Sequence, residues 1–399
     1  MRKILLLGGS NQQIPAIEYA KKSGYYTILC DYLLDNPGQR YADKFYCVST
    51  TDKEAILEVA KKEKVNGVVA YASDPAAPTA AYVAERMGLP TNSYKSVELL
   101  TNKDEFRVFL KENNFCTPKA KGYSDAWEAK KDIVNFKLPV LIKPVDSSGS
   151  KGVSKLMDIK NIGNQIECAL SYSRSKRFII EEFVEKFGYQ VAGDGFSVDG
   201  ELVFRGFAND HFDNSGSNPF VPIAASFPYN MPKRIHDKIH GEIQRLLKLL
   251  NMKTCAYNFD IRIDKDENVY LMEVGPRNGG NFIPQVTRYA TGVDMIDYTI
   301  KAAMGENCSG IRMVEQCGYW SYYAIHSSKT GILKEIKIDE KVKKNNIIES
   351  HFNYNISDNV PSFTGSNGSI GILIMKFDSM NEMIEMMDNS NKWIKVIVE

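Results

Sequence analysis

Asp260-Ile-Arg-Ile-Asp-Lys-Asp-Glu-Asn-Val-Tyr-Leu-Met-Glu273-Val-Gly-Pro-Arg277-Asn-Gly-Gly-Asn281 is the most informative segment of this chain. NFDIRI and VYLMEV are β-branched, aromatic and aliphatic runs joined by the turn formers Asp264 to Asn268, which predicts a hairpin. In such a hairpin Asp260 and Glu273 sit opposite one another, with both carboxylates on one face. Two acids so placed repel unless a cation lies between them, and hard oxygen ligands suit Mg²⁺ carried on a nucleotide triphosphate. Arg277 adds a guanidinium beside the same small space, an arrangement suited to a phosphoryl group in transfer. A plain surface hairpin with solvated acids is the competing explanation.

Segments upstream weigh against the plain hairpin. Leu138 to Pro144 is a short apolar strand carrying Lys143, followed by the small-residue run Asp146-Ser-Ser-Gly-Ser-Lys-Gly152. Small residues let backbone N–H groups approach phosphate oxygens. Val153-Ser-Lys-Leu-Met resembles a returning strand, so the run is a hairpin loop over phosphates and not a P-loop, whose Gly-Lys-Ser/Thr opens a helix. Arg177 to Val184 is a further strand whose acidic end presents backbone groups to an adenine edge. Thr101-Asn-Lys103-Asp-Glu-Phe is helix-like, with Thr101 as N-cap and Lys103 in the first turn. A cation there opposes the helix dipole, and a phosphate ligand would resolve the conflict.

Taken in order, Lys103, Lys143, the small-residue loop, Glu181-Glu182-Phe183-Val184, Asp260, Glu273 and Arg277 resemble the ATP-grasp superfamily of carboxylate-amine ligases, which includes amino-acid ligases, the large subunit of carbamoyl phosphate synthase and biotin carboxylase. The resemblance spans essentially the whole chain. It implies that Lys103 and Lys143 meet nucleotide phosphates, and that Ser148, Gly149, Ser150, Lys151 and Gly152 close over the β- and γ-phosphates. It implies that Glu181 to Val184 frame adenine, with the Glu182 C=O and Val184 N–H on its edge. Asp260 and Glu273 would hold Mg²⁺, for which Mn²⁺ substitutes, and Arg277 would meet the γ-phosphate or acyl phosphate. Two positions depart from the pattern. Gly275 stands where many members have an Asn metal ligand, for which Asn278 or Asn281 would have to reach instead. Gln190 replaces the acid that grips the ribose, and an amide still hydrogen-bonds a hydroxyl.

Global properties agree with a large water-soluble enzyme. The chain has 399 residues, enough for two or three domains. A net charge of +1, from 50 basic and 49 acidic residues, gives no electrostatic footprint for nucleic acid or an anionic membrane. No apolar run approaches the roughly 20 residues needed to span a bilayer, and Met1 to Ser10 is a first strand rather than a signal peptide. Seven scattered cysteines without a C-x-x-C pair indicate neither a disulfide framework nor a zinc site, and a cytoplasmic location follows.

The chain organisation predicts an α/β and α+β protein. Residues 1–95 form a parallel three-layer α/β domain: strands at Lys3 to Leu7, Tyr26 to Cys30 and Gly67 to Tyr71, with helices at Ile14 to Ser23 and Glu54 to Glu63. Gly8-Gly9-Ser10 lacks G-x-G-x-x-G and is not a dinucleotide site. Ser73 and Asp74 form the substrate-facing loop, unless they merely cap the next helix. Residues 96–308 form a two-lobed nucleotide-binding core with a long amphipathic helix from Ile235 to Leu250, whose His236 and His240 lie on a solvated face. Arg205 and His211, and Asn278, Gly279, Gly280 and Asn281, are candidate substrate contacts. Residues 309–399 read as a small β-rich lid.

The implied chemistry is activation of a carboxylate as an acyl phosphate and its capture by an amine, both small molecules. Carboxylation through carboxyphosphate, formyl transfer, and nucleotide binding without catalysis are the alternatives. A homodimer is common in the superfamily, but the sequence carries no signature of assembly.

Overall fold

The computed structural model describes residues 1–399. Its first part contains β1 (Lys3–Leu7), α1 (Ile14–Lys22), β2 (Tyr26–Asp31), β3 (Lys44–Cys47), α2 (Lys53–Glu63), β4 (Gly67–Val69) and α3 (Ala77–Arg86). The strands form a parallel sheet in the order β3-β2-β1-β4. From Ile4 to Leu7 β1 is apolar and buried because both its faces are covered, as parallel sheets require. Leu5 and Leu7 pack with Ile56, Ala60 and Val83 from α2 and α3, and Ile4 and Leu6 with Ala16 and Ile17 of α1. The strand order reverses between β1 and β4, so the loops following these two strands open on one crevice, the usual place for a ligand in an open α/β sheet.

Next come α4 (Tyr94–Thr101), α5 (Lys103–Glu112), β5 (Ala120–Tyr123), α6 (Ala126–Asp132), β6 (Val140–Pro144), β7 (Ser154–Leu156), α7 (Ile162–Tyr172) and β8 (Phe178–Glu182). Their strands make an antiparallel sheet, β5-β8-β6-β7, and β6 and β7 are the two arms of the small-residue hairpin. Thr101 is not the N-cap of α5. It ends α4, its hydroxyl donating back to the Val97 and Glu98 carbonyls, and Asn102 caps α5.

The remaining elements are β9 (Gln190–Val198), β10 (Glu201–Phe212), β11 (Pro222–Phe227), α8 (Lys233–Leu249), β12 (Cys255–Ile263), β13 (Val269–Gly275), α9 (Ile283–Thr291), α10 (Met295–Ala303), β14 (Tyr319–Ile325), β15 (Gly331–Ile338), α11 (Glu340–Asn345), β16 (Ile347–Phe352), β17 (Asn359–Val360), β18 (Gly371–Phe377), α12 (Met380–Asp388) and β19 (Ile394–Val398). One eight-stranded sheet, β13-β12-β9-β10-β11-β14-β18-β16, runs through most of them. α8 buries Ile235, Ile239, Ile243 and Leu246, spaced three or four apart, against Val191, Phe259 and Ile261 of this sheet. His236 and His240 are half-buried rather than solvated: His236 packs on Phe207 and Tyr229, and His240 Nδ1 accepts from Arg205 Nε.

Two features differ from expectation. β14, β18 and β16 extend the large sheet through the β11–β14 pairing, so the C-terminal strands are continuous with the core; only β17-β15-β19 form a separate small sheet. In addition, Ile296 and Ile300 of α10, with Met304 just beyond it, join α1 in covering the N-terminal sheet, whose third layer is thus lent by the core. No helix is long and apolar enough to cross a membrane.

Candidate active site

The β12–β13 hairpin is held by its turn: Asp264 Oδ1 accepts the Asp266 and Asn268 N–H groups at 2.9 and 2.8 Å. That fixes the pairing as far as Ile261 with Leu271, and a β-bulge between Asp260 and Ile261 then sets Asp260 opposite Glu273 instead of Met272. Alternation along β12 sends Phe259, Ile261 and Ile263 into the core under α8, leaving Asp260 and Arg262 on the other face. Asp260 Oδ1 is buried and has no hydrogen-bond partner. Burial pushes its carboxyl up to about 6, Arg262 opposing and Glu273 adding to the rise. Glu273 Oε2 lies 3.3 Å from Lys103 Nζ, which also donates to the Ser147 carbonyl at 2.8 Å.

These groups fit a triphosphate-borne Mg²⁺. No set of three His, Cys, Asp or Glu side chains is gathered that could cage a metal. Two carboxylates, one with an orphaned oxygen, would be the protein share of a Mg²⁺ shell that phosphates and water complete.

Facing this hairpin across a cleft is the β6–β7 sheet. Lys143, Ser148, Gly149, Ser150 and Lys151 line one cavity together with Lys103, Gln190, Asp260, Arg262 and Glu273. Gly152, at the end of the loop, has φ of 74°, and a Cβ there would meet Tyr172 at 2.9 Å. The loop is held from the other side: Ser150 Oγ donates to the Phe220 carbonyl, Asn218 Nδ2 to the Ser150 carbonyl, and Ser366 N–H to the Gly149 carbonyl. The segment around Thr364 to Gly368, between β17 of the small sheet and β18 of the large one, therefore reaches the β6–β7 loop.

Lys143 is paired with Glu181, which Arg107 also binds, Nε to Oε2 at 3.0 Å. Burial alone would raise the Glu181 carboxyl, but Lys143 and Arg107 outweigh it and hold the group at about 2. The Glu181 side chain is thus a buried counter-ion for Lys143. Arg107 was not recognisable in the sequence as part of the site. We expect Lys143→Ala to weaken ATP binding roughly ten- to a hundredfold by calorimetry, the scale of a lost charge-assisted contact. Unchanged affinity would remove Lys143 from the phosphates.

At the far end, Glu182 Oε1 accepts from Lys137 N–H and the Phe183 N–H donates to the Pro139 carbonyl. Arg262 Nη1 donates to the Val184 carbonyl at 2.9 Å and Nε to Gln190 Oε1 at 2.8 Å, while Gln190 Nε2 reaches Asp210. Asp210 is a further carboxyl that sequence reasoning missed. Burial, with Asp260 nearby, drives it well above the usual carboxylate range.

Arg277 grips Asp74 with two bonds, Nε to Oδ1 at 2.7 Å and Nη2 to Oδ2 at 2.5 Å, and donates from Nη1 to the Asn278 carbonyl. Burial would raise the Asp74 carboxyl, but Arg277 holds it below the ordinary value. Ser73 and Asp74 do not cap α3, whose N-cap is Ala76. Asn278 is fully buried with Oδ1 accepting from Thr299, the Gly279 N–H donates to Asp194, and the Asn281 N–H donates to Gln12. The Asn278 Oδ1 is thus taken by Thr299, while its buried Nδ2 has no hydrogen-bond partner. With Gly280, next to Gln12, this turn ties the core to the N-terminal unit.

Two candidate substrate contacts, Arg205 and His211, are engaged by other side chains. Arg205 shares the face of β10 with Phe207 and is engaged by His240 and Asp237 of α8. His211 is buried, its Nδ1 2.7 Å from Asp388 and Nε2 2.8 Å from Ser226. Burial lowers the His211 pKa from 6.5, with Asp388 opposing. The unfolded chain therefore takes up this proton first: stability from neutral His211 is full above about pH 6.5 and is lost as pH falls below it. His211→Gln is expected to flatten the decline in unfolding free energy between about pH 6.5 and 5, measured by urea titration; an unaltered slope would contradict this.

Residues 136–285 match the family model for the ATP-grasp domain. Among its relatives is the carbamoyl phosphate synthase large chain of Caldanaerobacter subterraneus subsp. tengcongensis, 27% identical over 256 residues, covering 63% of this chain and 23% of that protein. The chain thus spans about a quarter of the length of such relatives. Among solved structures, L-amino acid ligase from Bacillus licheniformis superposes with TM-score 0.80 at 19% identity, covering 100% of this chain and 99% of that one. Phosphoribosylglycinamide synthetase from Anaerococcus prevotii gives 0.76 at 22% identity, with both chains covered completely. At these identities the likeness concerns the fold.

Proposed function

We propose that this protein is an ATP-dependent carboxylate-amine ligase that forms an amide or peptide-like bond through an acyl phosphate and releases ADP and phosphate. The observation that carries this is the in-register pairing of Asp260 with Glu273, opposite a cavity lined by Lys103, Lys143 and Lys151. Asp260 and Glu273 would hold Mg²⁺, which neutralises the triphosphate and so removes its repulsion of an incoming carboxylate. Lys103 and Lys143 orient the phosphates. The loop from Ser148 to Gly152, held down by Asn218 and Ser366, excludes water from an intermediate that would otherwise hydrolyse. The Val184 N–H, which donates to no backbone acceptor, is the adenine contact. The crevice at the ends of β1 and β4, beside Arg277, is where the acid and then the amine would enter.

The test is a phosphate-release screen of amino acids, hydroxy acids and sugar acids, with and without amines, followed by mass spectrometry of the product. Turnover requiring both an acid and an amine supports the proposal. Turnover requiring bicarbonate or formate would replace it with carboxylation or formyl transfer, and nucleotide binding without turnover would replace it with a sensing role.

A further inference from the structure

Arg277 belongs to the loop after β13, and Asp74 to the loop between β4 and α3 of the N-terminal unit, 203 residues away. Their ion pair is largely buried, with side-chain exposures of 9% and 17%. Buried ion pairs give little net stability, because desolvation offsets the attraction, so stability alone does not account for this one. Ala72, two residues before Asp74, has φ of 52°, a conformation that side-chain-bearing residues avoid and that clusters at functional sites. Gly275 completes the arrangement. A Cβ at that position would lie 2.8 Å from Asp74 Oδ1 and 3.3 Å from Arg277 Cζ, so the missing side chain leaves the room that the Asp74 carboxylate fills.

We propose that Asp74 is the positioning residue for Arg277, inserted from the N-terminal unit into space left open by Gly275. This rests on the ligase reading above. The bidentate bond fixes the plane of the guanidinium. Three of its N–H groups are engaged by Asp74 and Asn278, and one hydrogen on each terminal nitrogen stays free for the transferring phosphoryl group. Phosphoryl transfer then depends on the N-terminal unit being seated, which couples filling of the crevice to the chemistry.

The test is calorimetric binding of MgADP, with and without aluminium fluoride as a mimic of the transferring phosphoryl group, to the full-length wild type, Asp74→Asn and Gly275→Ala. In the wild type, fluoride should tighten ADP binding. In both variants affinity for MgADP alone should stay within about twofold, which also reports an intact fold, while the gain from fluoride falls roughly ten- to a hundredfold. A purely structural role would lower both affinities together or neither. A full fluoride gain in Asp74→Asn overturns the proposal, as does a weakened Mg²⁺ dependence of ADP binding, which would make Asp74 a metal ligand. Failure of the wild type to bind ADP overturns the ligase reading itself.

Discussion

Glu273→Gln is expected to fold normally and to lose roughly three orders of magnitude in Mg²⁺-dependent ADP formation, the upper range for removing one preorganised charge stabiliser. Folding should survive because Glu273 faces the cleft: its side chain is 29% exposed and its only ion pair is with Lys103. Turnover should not, since the change removes the carboxylate charge opposite Asp260 and so halves that of the pair, and Asp260 already has an orphaned oxygen. Phosphate release should be followed across a Mg²⁺ titration, with circular dichroism as the control for folding. A wild-type rate at saturating Mg²⁺ would exclude Glu273 from the metal site.

Arg277→Lys is expected to lower kcat by about two to three orders of magnitude with ATP affinity nearly unchanged. Lysine keeps the charge but loses the planar fork, so it cannot reproduce the two-bond grip on Asp74 while pointing further hydrogens at the reacting oxygens. An interaction strengthened only as charge is redistributed during transfer appears in kcat, not in nucleotide binding. Equal losses in both would place Arg277 on the ground-state triphosphate.

What was legible in the sequence is what local rules write there. The β12–β13 hairpin follows from strand alternation and a turn whose Asp264 bonds its own backbone, all within about twenty residues, whereas the bulge that sets Asp260 opposite Glu273 has no such local signal. The β6–β7 loop was legible for the same reason. Partners brought together by the tertiary fold were not. Arg107 and Glu181 are 74 residues apart, and Asp74 and Arg277 are 203 apart, and no local pattern links either pair. On β10 Arg205 and His211 share a face with Phe207, while Asp210 and Phe212 take the opposite one, and a single strand does not say which side faces the cavity that Asp260 lines. The C-terminal strands were recognised individually, but nothing in their composition shows that β14 pairs with β11.

That pairing bears on how the molecule could be dissected. In many multi-part proteins a terminal region can be removed and the remainder still folds, because few contacts cross the boundary. Here a chain ending at residue 308 would convert β11 from an interior strand into a bare edge: Pro222–Phe227 presents Ile223, Ala224, Ala225 and Phe227, all buried in the intact protein, with its backbone donors and acceptors toward β14 unpaired. An uncovered apolar edge recruits strands from other molecules. The truncated protein should therefore self-associate, and the C-terminal strands double as the intramolecular cap on this edge of the large sheet.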